Sequence, residues 1–531
     1  MLRRFLCPAL LVGALQTSVV NAVPMLSEVL AVVPEQHWAV VNTNTFQSAW
    51  PAPALRDFET ARGTPGPLAV MQAFSSFGWD TRRQQFYLYG GGHGNYPGNE
   101  IYIWDAKTLE WRRGSLPSQV QQLGSTFTYV AVDGADNAPT AAHTYDNNEY
   151  LPIADRFIVF GGAAWDSGGP LQDAAFNRVG PYLWDPSLAD PNMVGGTTGS
   201  HTNATPGDGI LGGEMWENRN LPLLPNYLND PTQFRIDDYY SIEGATDVVS
   251  RDGHDLVYLS TRHWLWEYHI VDVNDPSQDF WRVVGNGRIG SSGVWGQGPG
   301  AYDEANNLFV RIAEPRNNSN RLYDFYYFDL ETPGFSNPVV PFEPTLPDGS
   351  PLFGGGLDSN LFNFKARSAW GLDYDPVREQ IVLWDGAGNL WALTPPDMLG
   401  ANGWIATPID VFALAEFGLP NANDNGYEIN GVTPAADTGV LGKFKYIPEF
   451  DIYLTTYHTQ TGDIWIYKPE GWTPNAELFP FLFVPAPASP FLLLIGGIGW
   501  SIARARYSFT VAGRTSPTKR ASGRRSVYRH A

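Results

Sequence analysis

One phrase recurs six times along this chain: an apolar strand, a turn, and an aromatic-rich strand that often closes on aspartate. The first copy reads QFYLYGGGHGNYPGNEIYIWD (85–105), and the last reads DIYLTTYHTQTGDIWIYKP (451–469). The other copies cover 156–185, 255–272, 307–329 and 380–395. Short strands at this regular spacing predict a radial array of small sheets. One such unit cannot bury both of its faces alone, so neighbouring units must stack and close a ring.

A further short strand precedes most copies and ends in an aromatic residue followed by an acid. The examples are FGWD (77–80), HTYD (143–146), GAYD (300–303) and LDYD (372–375). Strands that carry a tryptophan follow three of the copies, at Trp111, Trp281 and Trp404. The chain also holds 55 glycines and 42 prolines in 531 residues, with 14% aromatic residues, which favours tight turns and short strands over long helices. The predicted fold class is therefore all-β.

The first copy carries two features of a known group of repeats. A double glycine, Gly91-Gly92, follows its second strand, and Trp104 and Trp111 are separated by six residues. In these features the chain resembles kelch-type β-propellers, the group that includes the central domain of galactose oxidase. The second copy keeps only the pair Gly161-Gly162. The resemblance covers roughly residues 37 to 474 and implies a β-propeller within a domain that spans 23–483.

The domain spans 461 residues, which is about 77 per blade for six blades or about 66 for seven, and both blade counts stay open. Both lengths exceed the kelch period of about 50 residues per blade, so long loops must project. The segment 186–236, rich in glycine, proline and asparagine, is the longest loop and could hold a seventh, degenerate blade. The segment HWAVVNTNTF (37–46) reads as a strand ahead of the first copy. We expect it to pair with the last blade, because this pairing protects an otherwise open sheet edge.

The N-terminal residues 1–22, MLRRFLCPALLVGALQTSVVNA, have the basic start, apolar stretch and small residues of a secretory signal peptide. Cys7, the single cysteine of the chain, lies within them. Removal of this segment would leave no thiol, which excludes disulfides, cysteine-ligated zinc and cysteine nucleophiles. It also excludes galactose oxidase activity, which needs a tyrosine cross-linked to a cysteine.

The C-terminal segment 484–506, VPAPASPFLLLIGGIGWSIARAR, has a proline-rich entry, an apolar run and a pair of arginines. It resembles the PEP-CTERM sorting signal of Gram-negative bacteria, and a basic tail, 507–531, that we expect to be disordered follows it. The resemblance implies export to the cell surface or extracellular space, and transient membrane retention through residues 491–503. It also implies removal of the tail by a C-terminal sorting peptidase of the exosortase type. A plain membrane anchor is the alternative.

The span 23–483 holds all 55 acidic residues of the chain and 24 basic ones. Such a surface repels nucleic acid and suits an exported domain. The expected partner is a polysaccharide or a surface protein. No cofactor is predicted, and no metal site either, because no two histidines have the local spacing of metal ligands.

In a four-stranded blade, the turn between the second and third strands emerges on the same face of the disc as the start of the first strand. These segments carry histidine, tyrosine and arginine residues that would gather at one funnel. The candidate catalytic residues are His93, His143 and Tyr145, and the candidate ligand-binding residues are Tyr96, Arg262, His263, Arg316, Tyr457 and His458. Imidazole can act as a base near neutral pH, and arginine can clamp a carboxylate. The alternative for each residue is an ordinary polar position in a turn.

Two functional hypotheses follow. The first is an exported propeller that binds a glycan or a protein through its funnel face. The second is a secreted carbohydrate-active enzyme, a polyuronide lyase similar to the propeller-fold ulvan lyases, with His93 or His143 as base and Tyr145 as acid. The fold alone does not separate them, because propellers host both functions.

Overall fold

Six sheets of four or five strands, antiparallel except for one pair, form the framework of the described chain. The computed structural model describes residues 25–56, 66–72, 75–92, 96–123, 129–142, 144–161, 171, 173–175, 177–197, 211–223, 244–287, 289, 298–313, 324–352, 370–422, 426 and 440–478. All of them belong to one compact unit, Met1–Phe479, and the second unit, Pro480–Ala531, lies outside the described residues. The described part of the chain contains no helix with the length and apolar character needed to cross a membrane.

The elements follow one another in a regular order along the chain. Up to the end of the first blade they are α1 (Leu26–Val32), β1 (His37–Val40), α2 (Leu68–Gln72), β2 (Ser76–Asp80), β3 (Gln85–Tyr89), β4 (Tyr102–Asp105) and β5 (Glu110–Arg113). A hairpin and the second blade follow, with β6 (Val120–Gln122), β7 (Tyr129–Ala131), β8 (Asn148–Leu151), β9 (Arg156–Val159), β10 (Tyr182–Trp184) and β11 (Trp216–Asn218). The third blade consists of β12 (Ala245–Arg251), β13 (His254–Ser260), β14 (Trp264–Ile270) and β15 (Phe280–Asn286).

The second half of the ring repeats this plan. The fourth blade consists of β16 (Gly300–Asp303), β17 (Leu308–Ala313), β18 (Asp324–Asp329) and β19 (Val340–Phe342). The fifth blade consists of β20 (Gly371–Asp375), β21 (Gln380–Trp384), β22 (Leu390–Thr394) and β23 (Ile405–Ile409). The remaining strands are β24 (Phe412–Ala413), β25 (Phe444–Ile447), β26 (Ile452–Thr456) and β27 (Ile464–Lys468). Short 3-10 helices lie at Phe46–Ala49, Pro53–Leu55, Pro186–Leu188, Pro276–Gln278 and Leu441–Lys443.

The first strands of the six blades form the inner wall of a ring. Strands β2, β8, β12, β16, β20 and β25 pack side by side in this order, and the 3-10 helix Leu441–Lys443 brings the sixth blade back against β2. The described sheets therefore form a propeller arrangement with six blades. Within the segment 186–236, Trp216–Asn218 is the outer strand of the second blade and not part of a seventh.

The ring closes by pairing the N-terminal strand with the last blade, as the sequence predicts. Strand β1 lies antiparallel to β27, with Val40 opposite Trp465, and β24 adds a parallel neighbour on its other side. The sixth sheet is thus built from both ends of the domain. This pairing satisfies backbone groups that an open edge would expose.

The strand prediction for HTYD (143–146) is wrong, whereas FGWD, GAYD and LDYD do end β2, β16 and β20. The first strand of the second blade is β8, and Thr144 and Asn147 instead close a turn ahead of it (Asn147 N to Thr144 O, 2.7 Å). Tyr145 within this turn has φ of +46°, a left-handed conformation that ends any extended strand there. Asp146 therefore precedes the first strand of its blade, whereas the other three acids end the first strands of theirs.

Aromatic packing explains the spacing of the repeated tryptophans. Trp104 and Trp111 are directly opposite each other on β4 and β5, because six intervening residues are the length of a tight hairpin. Phe86 packs against both rings, with centroid distances of 5.9 and 4.9 Å. Trp281 lies in the outer strand β15, and Trp404 directly precedes β23.

Candidate functional site

The mouth face is defined here as the end of the disc at which the first strand of each blade begins. Because neighbouring strands run antiparallel, the turns between second and third strands lie at this same end. Of the candidate residues, His93, His143 and Arg316 lie outside the described residues. The other six are described, and the structure gives the surroundings of each.

Tyr96 is fully buried and donates its hydroxyl proton to the carboxylate of Glu100. Tyr102 donates to the same oxygen, Oε1, at 2.7 Å. Burial raises the pKa of Glu100, with the two tyrosine hydrogen bonds opposing this rise. These contacts make Tyr96 part of a buried network inside the first blade, which is a structural role.

Arg262 and His263 form the turn between β13 and β14, and their backbone carbonyls are occupied. The carbonyl of Arg262 accepts from Ile289 N at 2.7 Å, and that of His263 accepts from Gly287 N at 2.9 Å. Arg262 is 5% exposed. The turn is therefore held to the segment that follows the outer strand of the third blade.

Tyr457 and His458 follow β26 in the corresponding turn of the sixth blade. The Tyr457 hydroxyl accepts from Asn421 N at 2.7 Å, and its ring lies 6.2 Å from that of Trp384 in the fifth blade. The His458 Nδ1 atom accepts from Thr461 N at 3.1 Å, within its own turn. The contacts that the structure gives for these two residues are those of turn and interblade packing.

Asp146 lies at the centre of the mouth face, where elements from four blades meet. Its backbone carbonyl accepts from Thr246 N of the third blade at 2.8 Å, and its carboxylate Oδ2 accepts from Gly300 N of the fourth blade at 3.0 Å. Its Oδ1 atom faces Gly442 of the sixth blade so closely that a Cβ atom at 442 would overlap it. A residue that precedes the first strand of the second blade and contacts three other blades must lie near the axis of the ring.

The carboxylate of Asp146 is 1% exposed, and its Oδ1 atom has no hydrogen-bond partner among the described residues. Burial raises the pKa of Asp146 to about 7, and the charge of Lys445 opposes this rise. A buried acceptor without a donor is uncommon in native proteins and indicates a water or ligand position.

Lys443, one residue after Gly442, is fully buried beside the start of the first blade. Its Nζ atom donates to Ser75 O at 3.0 Å and to Ser75 Oγ at 3.3 Å. Burial lowers the pKa of Lys443 to about 7, and the charge of Asp146 opposes this shift. A buried amine and a buried carboxyl group therefore lie within electrostatic reach of each other at the mouth, and both titrate near neutral pH.

A second charged layer lies further along the inner strands. Lys445 Nζ forms an ion pair with Glu149 Oε1 at 2.8 Å, across from the sixth blade to the second. Burial raises the pKa of Glu149 and of Asp373, each to about 8, and also raises that of Asp247. Burial alone would lower the pKa of Lys445, but the surrounding carboxylates, Glu149 foremost, raise it instead. The inner wall is thus polar and rich in carboxylates.

This inner layer was not predicted from the sequence, although one signal points to it. Asp146 belongs to the HTYD motif, which looks like the other three motifs in sequence, and only the structure shows that its acid precedes the strand. Lys443 and Lys445 stand in GKFKY, where two lysines flank Phe444 at the start of a buried strand of an acidic domain. Within the described ranges, no group of three or more histidine, cysteine, aspartate or glutamate side chains is arranged to hold a metal ion.

No family model and no curated protein matches this chain. Among solved structures, it is similar to the major allergen Mala s 1 of Malassezia sympodialis, with 12% identity over 75% of this chain and 93% of that chain and a TM-score of 0.32. It is also similar to the RS223 β-xylosidase, with 11% identity over 67% of this chain and 98% of that chain and a TM-score of 0.27. At these scores, neither likeness indicates a ligand or an activity.

Proposed function

We propose that this chain is an exported, kelch-type β-propeller that binds a glycan through its mouth face. Its signal peptide (1–22) directs export, and its PEP-CTERM-like segment (484–506) directs sorting and removal of the tail. The observation that supports the binding function is the pair of buried groups at the axis, Asp146 and Lys443.

The chemistry of this pair suits a hydroxyl group. Asp146 Oδ1 offers an acceptor with no partner among the described residues, and Lys443 Nζ offers a donor that no described carboxylate neutralises in an ion pair. A sugar hydroxyl donates one hydrogen bond and accepts others, so it satisfies both groups at once. The excess of acidic over basic residues in the domain favours a neutral glycan over an acidic one, because like charges repel.

A glycan array tests this proposal with the full-length chain and three variants. We expect Asp146→Asn and Lys443→Met to weaken binding to the same glycans by about tenfold or more, as for a lost charge-assisted hydrogen bond. Asp303→Asn is the matched control, since Asp303 is as buried as Asp146 but ends an inner strand at the side opposite the mouth face. If no glycan binds and a surface protein is captured instead, the ligand is a protein and the glycan proposal is wrong. Equal loss in all three variants would refute the site.

A polyuronide lyase is the second candidate, and the backbone of Tyr145 favours it. A tyrosine at φ +46° is strained, and such strain concentrates at functional sites. Tyr145, the acid of this hypothesis, stands two positions after the candidate base His143 in the sequence. The test is absorbance of unsaturated uronides released from a polyuronide panel. Release of unsaturated uronides by wild type but not by His143→Ala would favour the lyase hypothesis. Release from none of the polyuronides would exclude it.

A further inference from the structure

Two histidines meet at the end of the third blade opposite the mouth face. His254 begins β13, and His269 lies one residue before the end of β14. Their ring nitrogens, Nε2 of His254 and Nδ1 of His269, are 2.9 Å apart. They are 15 positions apart in the sequence, and the hairpin brings them together.

The ring of His269 is held in one orientation. Its Nε2 atom lies 3.0 Å from Oε2 of Glu267, and the same oxygen accepts from Arg282 Nε at 2.6 Å. Phe280 stacks on the imidazole at 4.2 Å, with an interplanar angle of 11°. A carboxylate that pairs with an arginine is an acceptor, so His269 Nε2 carries the proton and Nδ1 presents its lone pair to His254.

We propose that His254 Nε2 and His269 Nδ1 form a binding site for a divalent transition metal ion that prefers imidazole, such as Zn²⁺ or Cu²⁺. The ion would replace the single proton that the two nitrogens now share. Water would complete its coordination, because His254 is only half-buried and the site is open to solvent. This site is independent of the glycan site proposed above.

The distance between the two nitrogens is close to what such an ion requires. Two nitrogen ligands at Zn–N distances of about 2.05 Å and tetrahedral angles lie about 3.3 Å apart, so the rings need to separate by only about 0.4 Å. His269 is fixed, whereas His254 follows a turn through Asp252 and Gly253 and can make this adjustment.

The surrounding residues also fit a metal site. The hydrogen bond between the side chains of Glu267 and His269 reproduces the carboxylate–histidine arrangement that orients most metal-bound imidazoles. The cation Arg282 is neutralised by Glu267, with which it forms an ion pair. Arg251, the cross-strand neighbour of His254, donates from Nη2 to the Tyr302 hydroxyl at 3.0 Å and so is engaged elsewhere.

Calorimetric titration of the full-length chain with ZnCl₂ tests this site, with Cu²⁺ electron paramagnetic resonance as a second readout. We expect one saturable site in wild type, with an affinity that decreases about tenfold or more in His254→Ala. In the Cu²⁺ spectrum, we expect two nitrogen ligands in wild type and one in His254→Ala. The control is His37→Ala, because the Nδ1 atom of His37 bonds to Glu35 O in a different blade.

Glu267→Gln should weaken the affinity without changing the stoichiometry, since Glu267 is a positioning residue. The His254 ring is half-buried, so its loss should leave the fold intact, and circular dichroism checks this directly. Absence of saturable binding would overturn the proposal. So would equal affinity in wild type and His254→Ala, or an equal decrease in His37→Ala.

Discussion

The guanidinium of Arg378 in the fifth blade forms a two-pronged ion pair with the carboxylate of Asp451 in the sixth, with Nη1–Oδ1 and Nη2–Oδ2 distances of 2.7 and 3.1 Å. Arg378 also bonds to Asp375 of its own blade at 2.9 Å. Arg83 makes the same arrangement between the first and second blades, with Asp80 and Asp155. Ion pairs of this kind hold neighbouring blades together at the end opposite the mouth face.

We expect Arg378→Met to lower the free energy of unfolding by about 2–4 kcal/mol, because it leaves the fully buried Asp451 carboxylate without its charged partner. Urea denaturation measures this change. Arg82→Met is the control, since Arg82 is half-exposed and its ion pair with Asp155 is 3.4 Å long, and its loss should cost about 1 kcal/mol or less. Equal effects of the two substitutions would contradict a role for Arg378 in joining the blades.

Gly442→Ala should destabilise the ring by about 1–3 kcal/mol, the cost of forcing a methyl group against closely packed neighbours. The new methyl group would overlap Asp146 Oδ1 and Ser76 Cβ at the axis. Gly400→Ala is the control, because a Cβ atom there meets nothing within 4 Å. Combining Gly442→Ala with Asp146→Ala should restore part of the loss, and strictly additive effects would argue that the two residues do not touch.

Ring closure through β1 provides the third prediction. Trp38 is fully buried between Trp384 and Tyr467, at ring distances of 5.7 and 5.3 Å, and its Nε1 atom donates to Gly388 O at 3.2 Å. Trp38→Ala should therefore cost about 3–5 kcal/mol. Deletion of residues 37–46 should abolish cooperative unfolding, because the sixth blade would lose a strand.

Phe412→Ala provides the comparison for Trp38→Ala. Phe412 lies on β24, the other neighbour of β1, but its side chain is 49% exposed. Its removal should cost less than about 1 kcal/mol, as for surface positions in general. A deletion product that unfolds in a single sharp transition like wild type would show that β1 is dispensable.

The ring of blades was predictable because its signal is local and repeated. Each copy carries its own apolar strands and turn, and the closing strand, expected within 37–46 and found at His37–Val40, stands directly ahead of the first copy. The tryptophan pair Trp104 and Trp111 even specifies a hairpin. Such features need no knowledge of what lies elsewhere in the chain.

The charged centre was not predictable, because it depends on contacts between distant parts of the chain. Asp146 meets Gly300 and Gly442, neither of which is close to it in sequence. Its placement also follows from the left-handed turn at Tyr145, a conformation that sequence rules assign to glycine or asparagine. His254 and His269 likewise become neighbours only through the register of one hairpin.

The pKa of Asp146 makes a prediction about stability and pH. It is about 7 in the folded chain against an ordinary value of 3.8, so between these pH values the folded state holds a proton that the unfolded state has released. This carboxyl therefore stabilises the fold most at low pH, and the contribution is lost as the pH rises through about 7. The pKa of Lys443 is lowered to about 7, so this amine has the opposite effect on stability. Its contribution rises with pH between about 7 and 10.5, where the unfolded state holds a proton that the folded state has released.

Asp146→Asn removes the first of these titrations, because asparagine does not ionise but still accepts from Gly300 N. Relative to wild type, the variant should gain about 1–4 kcal/mol of stability between about pH 4 and about pH 7.5, measured by urea denaturation at both values. Asp173→Asn is the control. Asp173 is only partly buried and its pKa is lowered by the hydrogen bond from Asn177, so its replacement should give no such gain. A difference between Asp146→Asn and wild type that stays constant with pH would mean that this carboxylate remains charged in the folded ring throughout the range.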